Sequence, residues 1–446
     1  MQPSPIVSVA PIATLAGLAP SEALIAGFVE AIRVLKRMIF VVVSDRSGRL
    51  QVTIERASGD QPPSALEATA LSLTVGSAVR VRGAAVLNPA VKTGGVELLA
   101  SSLDVASLAE PGLPVDEHTA SDIQLDWRFL ALRRPENLLV FEVQTTIERA
   151  MREYWASHKF IELHSPKLMH SASESGADTF ATRYFELGTA YLAQSPQFYK
   201  QMAIASGFER VFEIAPVFRA EPSMTPRHAA EFTSVDVELA WVESHEDVMR
   251  MEEAWLRHVL ETVRAEHGEA IAHRFGVEVR VPTVPFPRLT MREAHAMLAR
   301  EGHEIAKETK PGDLDPAGER RLAQWALEQH GSELLFLTEY PSTLRPFYHM
   351  RDERDASVTK SFDLLWKGIE ITTGAQREHR LAELTRQAEQ AGLRESVSYY
   401  LDFFRYGCPP HGGFGLGLAR LVMLMLGLPS IRESTFLHRG PNRLTP

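Results

Sequence analysis

A single cysteine, Cys408, is all the chain carries, so neither an internal disulfide framework nor a cysteine-based zinc finger is available to it. Long apolar runs are missing as well: the longest, Leu416–Ile431, is interrupted by Arg420 and is too short to span a bilayer. The opening MQPSPIVSVAPIATLAGLAP has none of the positive charges that begin a secretory signal. Together these point to a cytoplasmic protein. Positive charge is in short supply: Lys and Arg number 47 against 57 Asp and Glu, a net charge of −10. That balance argues against binding nucleic acid over the whole surface, while leaving room for a local basic face. No GxxxxGK[ST] loop occurs, so any ATP must be held by something other than a P-loop. Internal repeats and low-complexity tracts are absent too.

What is present is a 446-residue chain, 45% apolar and 23% charged, enough for two or three domains. Residues 1–20 read as a loosely ordered, proline-punctuated leader. Over 21–108 five short β-type runs follow, LIAGFVEAI, MIFVVVSD, RLQVTIE, SAVRVRGAAV and VELLASSLDV, with the helical SALEATALSL between the third and fourth. That pattern predicts a small five-stranded β-barrel of the OB type. Residues 109–135, including the proline-containing acidic stretch Pro111–Asp126, are expected to be a hinge. Over 136–446 helices and strands alternate without βαβ regularity. Helical spacing predicts helices over Val140–Lys159, Glu243–His267 and Leu381–Tyr406; ELLFLTEYP and SFDLLWKGIEITTG read as strands. Hairpin-paired strands with separate helices imply an α+β fold on an antiparallel sheet.

Four charged clusters carry the chemistry. In VFRAEPSMTPRHAAEFTSVDVEL, two alternating segments flank a polar turn that holds Arg219 and Arg227, with Glu221, His228, Glu231, Asp236 and Glu238 interleaved. Forked, permanently charged donors fixed on a hairpin suit a carboxylate or phosphate ligand. An ordinary hairpin with surface ion pairs is the competing reading. QSPQFYK places Gln197 and Lys200 one helical turn apart, just after the small-residue loop SASESGADTF with Glu174. SFDLLWKGIEITTGAQR offers Glu370 and Thr373 as hard oxygen ligands for Mg²⁺ and Arg377 as a fork for another carboxylate. GGFGLGLARL combines glycines that allow close backbone approach with Arg420 near a helix start. Each is weak alone. In this order, on one antiparallel scaffold, they point to an anionic, metal-bridged substrate.

The wording of these segments resembles the aspartyl-tRNA synthetases, class II aminoacyl-tRNA ligases with an N-terminal anticodon-binding OB-fold. KFIELHSPKL, with Pro166, resembles the class's motif 1, which builds a homodimer interface; FRAE…RHAAEF resembles motif 2 and GFGLGLARL motif 3. QSPQFYKQ, GIEITTGAQR and the short interval between motifs 2 and 3 resemble the archaeal and eukaryotic style. The resemblance spans roughly Ser21 to Pro446. It implies ATP- and Mg²⁺-dependent activation of aspartate and transfer to tRNA-Asp, with tRNA-Asn as a second acceptor in some relatives. It also implies a map of roles. Glu174, Gln197, Lys200, Arg219, Thr373 and Arg377 would hold aspartate, with Lys200 and Arg377 on its side-chain carboxylate. Arg219, Glu221, Arg227, His228, Glu370, Gly417 and Arg420 would hold ATP, Arg219 and Arg420 acting directly in catalysis. Glu370 and Thr373, with Asp363 as a weaker candidate, would bind the metal. Arg33, Phe40 and Gln51 would read the anticodon. A neutral amide would leave Lys200 and Arg377 buried and unpaired, which would exclude asparagine.

The sequence departs from the family's pattern in three places. Ala419 stands where motif 3 has an acidic residue. Val34, Lys36 and Arg37 replace an acidic residue and a glycine pair in the barrel's first loop. Ala131, in RFLALRRP, replaces an aspartate. The competing functional readings are an asparaginyl-tRNA synthetase and a paralogue that only binds tRNA or adenylate or serves as a drug-insensitive duplicate.

Overall fold

Strands rich in apolar residues build the first unit. In the computed structural model, which describes residues 9–58, 61–92, 94–116, 118–170, 179–222 and 224–446, five strands close into a barrel. They are β1 (Ser21–Val34), β2 (Met38–Ser44), β3 (Arg49–Glu55), β4 (Ala78–Leu87) and β5 (Val96–Ser107), in the order β1-β2-β3-β5-β4. On β2, Ile39, Val41 and Val43 are buried and point inward, which leaves Met38, Phe40 and Val42 facing outward. The barrel closes through parallel pairing of β3 with β5, Gln51 opposite Glu97. Helix α2 (Ala65–Leu71) lies between β3 and β4 in sequence, and the Ser64 side chain caps it.

Within the expected leader, residues 9–20 are ordered against the barrel. A 3₁₀ turn at Ile12–Thr14 runs into α1 (Leu15–Leu18), and Ile12 and Leu15 are buried within the barrel's core cluster. Residues 1–8 lie outside the described set. The expected hinge is also partly helical, with α3 (Ser121–Asp126) and α4 (Arg128–Ala131). The chain divides into two compact units, residues 1–139 with Pro446 and residues 140–445, so the boundary falls inside α5 (Pro135–Ser157).

The second unit is an eight-stranded sheet and its helices. Its strands are β6 (Ile161–Glu162), β10 (Arg210–Phe218), β11 (Glu231–Ala240), β12 (Arg288–Thr290), β13 (Leu334–Thr338), β14 (Ser361–Trp366), β15 (Ile369–Arg377) and β16 (His411–Gly417). A separate three-stranded sheet holds β7 (Leu168–Met169), β8 (Ala181–Arg183) and β9 (Thr189–Leu192). The large sheet runs β12-β13-β14-β15-β16-β11-β10-β6, antiparallel throughout except for the edge pairs β12–β13 and β10–β6. The predicted hairpin Val211–Phe218/Phe232–Trp241 is β10–β11, paired from Arg210↔Leu239 to Phe218↔Glu231. The remaining helices are α6 (Gln197–Ala205), α7 (His245–Phe275), α8 (Met291–Arg300), α9 (Pro316–His330), α10 (Leu381–Gln390), α11 (Ser398–Leu401) and α12 (Leu418–Leu426).

One face of this sheet is sealed by α7, whose Val248, Trp255, Val259 and Val263 are fully buried. Trp255 stacks on Trp155 of α5 at 5.2 Å and leans on Phe414 of β16 at 5.4 Å. The other face is left for the site. The expected single helix over Leu381–Tyr406 is broken instead: α10 stops at Gln390, and Gly392 takes φ +70°, a conformation open to glycine that ends helices. After it, α11 and a 3₁₀ turn at Asp402–Phe404 fold back onto Phe198 and Tyr348.

Candidate active site

The open face of the sheet carries a cavity of about 370 Å³, walled by β11, β15 and β16, the loop after β10, and the starts of α6 and α12. Register decides which side chains reach it. On β11 the even positions Ser234 and Asp236 line it, while Val235 and Val237 are buried on the α7 side. On β15 the odd positions Ile371, Thr373 and Arg377 line it. Glu370 and Thr373 are three residues apart, so a regular strand would point them to opposite faces. A bulge prevents this: Thr372 pairs with Leu364 but Glu370 pairs with Leu365, leaving Ile371 as the extra residue. Glu370 thereby joins Thr373 on the cavity side, and the Thr373 hydroxyl donates to Glu370 Oε1 at 3.2 Å.

One end of the cavity is cationic. Arg219 follows β10 directly, and its N–H donates to Ala230 O at 2.8 Å, extending the ladder by one rung. Its guanidinium rests over the Phe232 ring at 5.4 Å. Arg227 and His228 come from the loop above, and Glu221 lines the same end. Arg420, in the first turn of α12, donates from Nη1 to the Glu370 carbonyl at 2.6 Å and from Nη2 to the Arg227 carbonyl at 3.4 Å. The two motif segments are thus tied together across β15. Burial pushes the His228 ring below its ordinary pKa, and the neighbouring Arg420 adds to this, so the ring is neutral at pH 7. Arg227 has a counter-ion that sequence reasoning missed: Glu319 of α9, at 3.7 Å. Gly417 and Ala419 line the cavity, so no carboxylate enters from position 419.

The other end is a buried ion cluster. Lys200 Nζ lies 3.1 Å from Asp236 Oδ1 and 3.2 Å from Glu238 Oε2. Arg377 Nε donates to Glu238 Oε1 at 3.1 Å, its Nη2 to Gly413 O at 2.9 Å, and its Nη1 to His349 Nε2 at 2.9 Å. Arginine can only donate, so His349 accepts there and is neutral, in keeping with burial driving its pKa well down. Burial raises the Glu238 carboxyl, but Arg377 and Lys200 outweigh it and hold the group below its ordinary range. Glycine is required at 413: a Cβ there would sit 2.0 Å from Val237 O and 2.5 Å from Glu238 Oε2. Two cationic side chains, Lys200 and Arg377, thus face two carboxylates, Asp236 and Glu238, so the formal charges of the cluster balance. Gln197 and Arg377 line the cavity, whereas Lys200 is 3% exposed and sits beneath its floor.

Asp363 is also set apart. It pairs with Thr373 in register, but its Oδ2 is bound to Arg345 at 2.7 Å, and it is buried outside the cavity lining. Of the three candidate metal ligands, Glu370 and Thr373 are the two that line the cavity. One carboxylate and one hydroxyl suit Mg²⁺, which keeps waters and takes ligand oxygens rather than an all-protein cage. Glu174 lies outside the described residues. Pro166 is exposed in the segment between β6 and β7. No described helix is long and apolar enough to cross a membrane.

In the barrel, Arg33 and Phe40 are direct partners across β1–β2, and Gln51 on β3 faces Val42, one rung along the same outward face. Arg33 is exposed and Phe40 half-buried. Sequence reasoning missed Glu97, which accepts from Gln51 Nε2 at 3.0 Å, from Asn88 Nδ2 at 2.7 Å and from the Thr53 hydroxyl. Lys36 and Arg37 are exposed in the β1–β2 turn.

Comparison with known proteins adds to this geometry. The profile of class II tRNA synthetases (D, K and N) matches residues 120–439, and that of OB-fold nucleic acid binding domains matches 23–106. Among curated relatives, an aspartate–tRNA(Asp/Asn) ligase from Aeropyrum pernix is 41% identical over 442 residues, covering 98% of each chain. An aspartate–tRNA(Asp) ligase from Pyrococcus abyssi is 40% identical, covering 95% of each. The solved asparaginyl-tRNA synthetase from Pyrococcus horikoshii, complexed with asparaginyl-adenylate, superposes with a TM-score of 0.89 at 29% identity. It covers 99% of this chain and 100% of that one.

Proposed function

This chain belongs to the class II tRNA synthetases of the D, K and N group, and from that membership we propose that it is an aspartate–tRNA ligase. One observation carries the proposal: a single cavity is lined both by the cations Arg219, Arg227 and Arg420 and by Gln197, Asp236 and Arg377. The likeness to the two curated aspartate ligases, each over nearly the whole chain, supports aspartate as the amino acid.

In the first step a carboxylate oxygen of aspartate attacks the α-phosphorus of ATP and pyrophosphate leaves. Two anions must approach, so catalysis is positioning and charge neutralisation. Arg219, which lines the same cavity, would bridge the α-carboxylate and the α-phosphate. Arg227 and the neutral His228 would hold the distal phosphates, Glu221 the adenine edge, and Arg420 the adenine face and γ-phosphate. Glu370 and Thr373 would hold Mg²⁺, which when bound neutralises phosphate charge. In the second step a ribose hydroxyl of the tRNA terminus takes the acyl group and AMP leaves. Arg33, Phe40 and Gln51 would meet the unpaired anticodon bases on the barrel face, Phe40 by stacking. The enzyme would work as a cytoplasmic homodimer through the segment around Pro166.

Asparagine is the competing amino acid, because the ion cluster is already neutral and a solved asparaginyl enzyme superposes closely. Amino-acid-dependent ATP–pyrophosphate exchange separates the readings. Exchange with aspartate and not asparagine is expected. Exchange with asparagine alone would overturn the proposal, and none with either, in folded protein, would leave only a binding role. Charging purified tRNA-Asp and tRNA-Asn then fixes the acceptor.

A further inference from the structure

Behind Gln197 runs a hydrogen-bonded chain of buried polar groups, His411, Gln201 and Tyr400, to which the reaction above gives no role. His411 of β16 is 0% exposed, Gln201 of α6 0%, Tyr400 of α11 0% and Gln197 4%. His411 Nδ1 is 2.8 Å from the Pro409 carbonyl, and its Nε2 is 2.8 Å from Gln201 Nε2. Gln201 Oε1 is 2.8 Å from Gln197 Nε2 and 3.0 Å from the Tyr400 hydroxyl. The chain's anchor is a backbone carbonyl, which can only accept. Nδ1 of His411 must therefore carry the proton, and in a neutral ring Nε2 must accept. Burial keeps that ring neutral by drawing its pKa down to about 4, with Glu238 opposing. Gln201 then has to present its NH₂ to His411 and its oxygen to Gln197 and Tyr400. Gln197 in turn has to present its own NH₂ to Gln201. Amide orientation is ordinarily assigned from the hydrogen-bond network; here a fixed acceptor at one end determines every member.

We infer that Gln201, held by His411 and Tyr400, is a positioning residue that locks the Gln197 amide with its carbonyl oxygen towards the cavity, as acceptor for the substrate ammonium. Gln197 lines the cavity, and among the described residues nothing donates to its oxygen. Both carboxylates of aspartate only accept, so its ammonium is the one donor an oxygen here can meet. A flipped Gln197 would face that ammonium with its own NH₂ and repel it. The inference rests on the aspartate reading of the cavity, and its tests separate the two.

The first test is Gln201→Met, which keeps volume and removes the relay, measured in ATP–pyrophosphate exchange alone and in a Gln197→Met background. The KM for aspartate should rise about tenfold, the loss of one hydrogen bond to a charged group, with kcat within about threefold. In the Gln197→Met background the same substitution should add nothing, because the group it positions is gone. An unchanged KM in the single variant, or an equal further rise in the double variant, would overturn the relay. Succinate, which lacks the ammonium, should inhibit wild type and Gln201→Met equally; weaker inhibition of the variant counts against it. The second test does not depend on activity: long-range ¹H–¹⁵N spectra of histidine-labelled wild-type protein, with His411 assigned by loss of its signals alone in folded His411→Gln. The Nδ1–H tautomer is expected, and an Nε2–H tautomer sinks the relay even if aspartate is activated. A wild-type enzyme that exchanges no label with aspartate would refute the substrate reading while the spectrum still judges the relay.

Discussion

Glu252 sits on α7 at 0% exposure, directly behind the strand that carries Glu370, Thr373 and Arg377, with no cation beside it among the described residues. Among those residues its hydrogen-bond partner is the Thr372 hydroxyl, which donates to Oε1 at 2.6 Å. Burial drives its pKa from 4.5 to about 8, with the nearby carboxylates of Glu253 and Asp363 adding to the rise and the Thr372 bond opposing it. The folded protein therefore holds a proton that the unfolded chain has given up at neutral pH. The sign follows from linkage: with the folded pKa raised, this group's stability is fully present below pH 4.5 and is lost progressively as pH climbs through about 8. At roughly 1.4 kcal/mol per pH unit, the deficit reaches about 3 kcal/mol at pH 7 and about 5 kcal/mol above pH 8.

Glu252→Gln removes the titration and keeps an acceptor for Thr372. Its amide brings an extra buried N–H without a partner, a constant cost of about 1–3 kcal/mol that does not depend on pH. The decisive quantity is thus a slope, not an absolute stability. Urea unfolding of the catalytic unit, followed by the near-ultraviolet signal of the stacked Trp155–Trp255 pair, should lose stability between pH 5 and 8 by one proton more in wild type than in the variant. The difference between the two proteins should grow by about 1.4 kcal/mol per unit over that window. Parallel slopes would refute the reasoning and mean that Glu252 is ionised in the folded protein, or that the carboxyl finds water.

Three further outcomes are expected. Arg219→Ala should lower ATP–pyrophosphate exchange about 10³-fold while circular dichroism is unchanged; activity within tenfold of wild type would remove Arg219 from the bridging position. Phe40→Ala should weaken tRNA binding by about 1–3 kcal/mol, one lost base stack, and leave exchange untouched, so parallel losses in both assays would point to a folding defect instead. Burial raises Glu319 to about 7, with Arg227 opposing and Glu370, Asp363 and Asp313 adding to the rise. Above pH 7 its carboxylate is ionised and competes with ATP phosphates for Arg227, so the KM for ATP should climb from pH 6 to 8 in wild type and stay flat in Glu319→Gln; a climb in both would place the titrating group elsewhere.

The contrast between Phe40 and Lys200 locates what could be read in advance. Phe40 sits in MIFVVVSD, one of five turn-bounded β-type runs that predict a small barrel; the run is apolar throughout, so its outward side is settled by the fold and not by alternation. The strand character of a run is a property of neighbouring residues, so it survives in the sequence. Lys200 was legible as a charge but not as a paired one. Asp236 and Glu238 were visible at alternate positions, yet their meeting with Lys200 and Arg377 depends on β16 lying between β11 and β15, and on glycine at 413 opening the space. The same holds for Glu319, which reaches Arg227 from a helix far along the chain. Helix ends failed for a local reason, since apolar spacing continues through Leu393 and Val397 although Gly392 has already turned the backbone. The Ile371 bulge is the sharpest case. Two metal-type ligands at odd spacing belong on opposite faces of a strand, and only an extra residue on one side of a ladder brings them together. Residue types announce which charges a site contains. Which charges remain free for a substrate is decided by sheet order, bulges and buried partners, and the aspartate-or-asparagine question turns on those hydrogen bonds rather than on the count of cations.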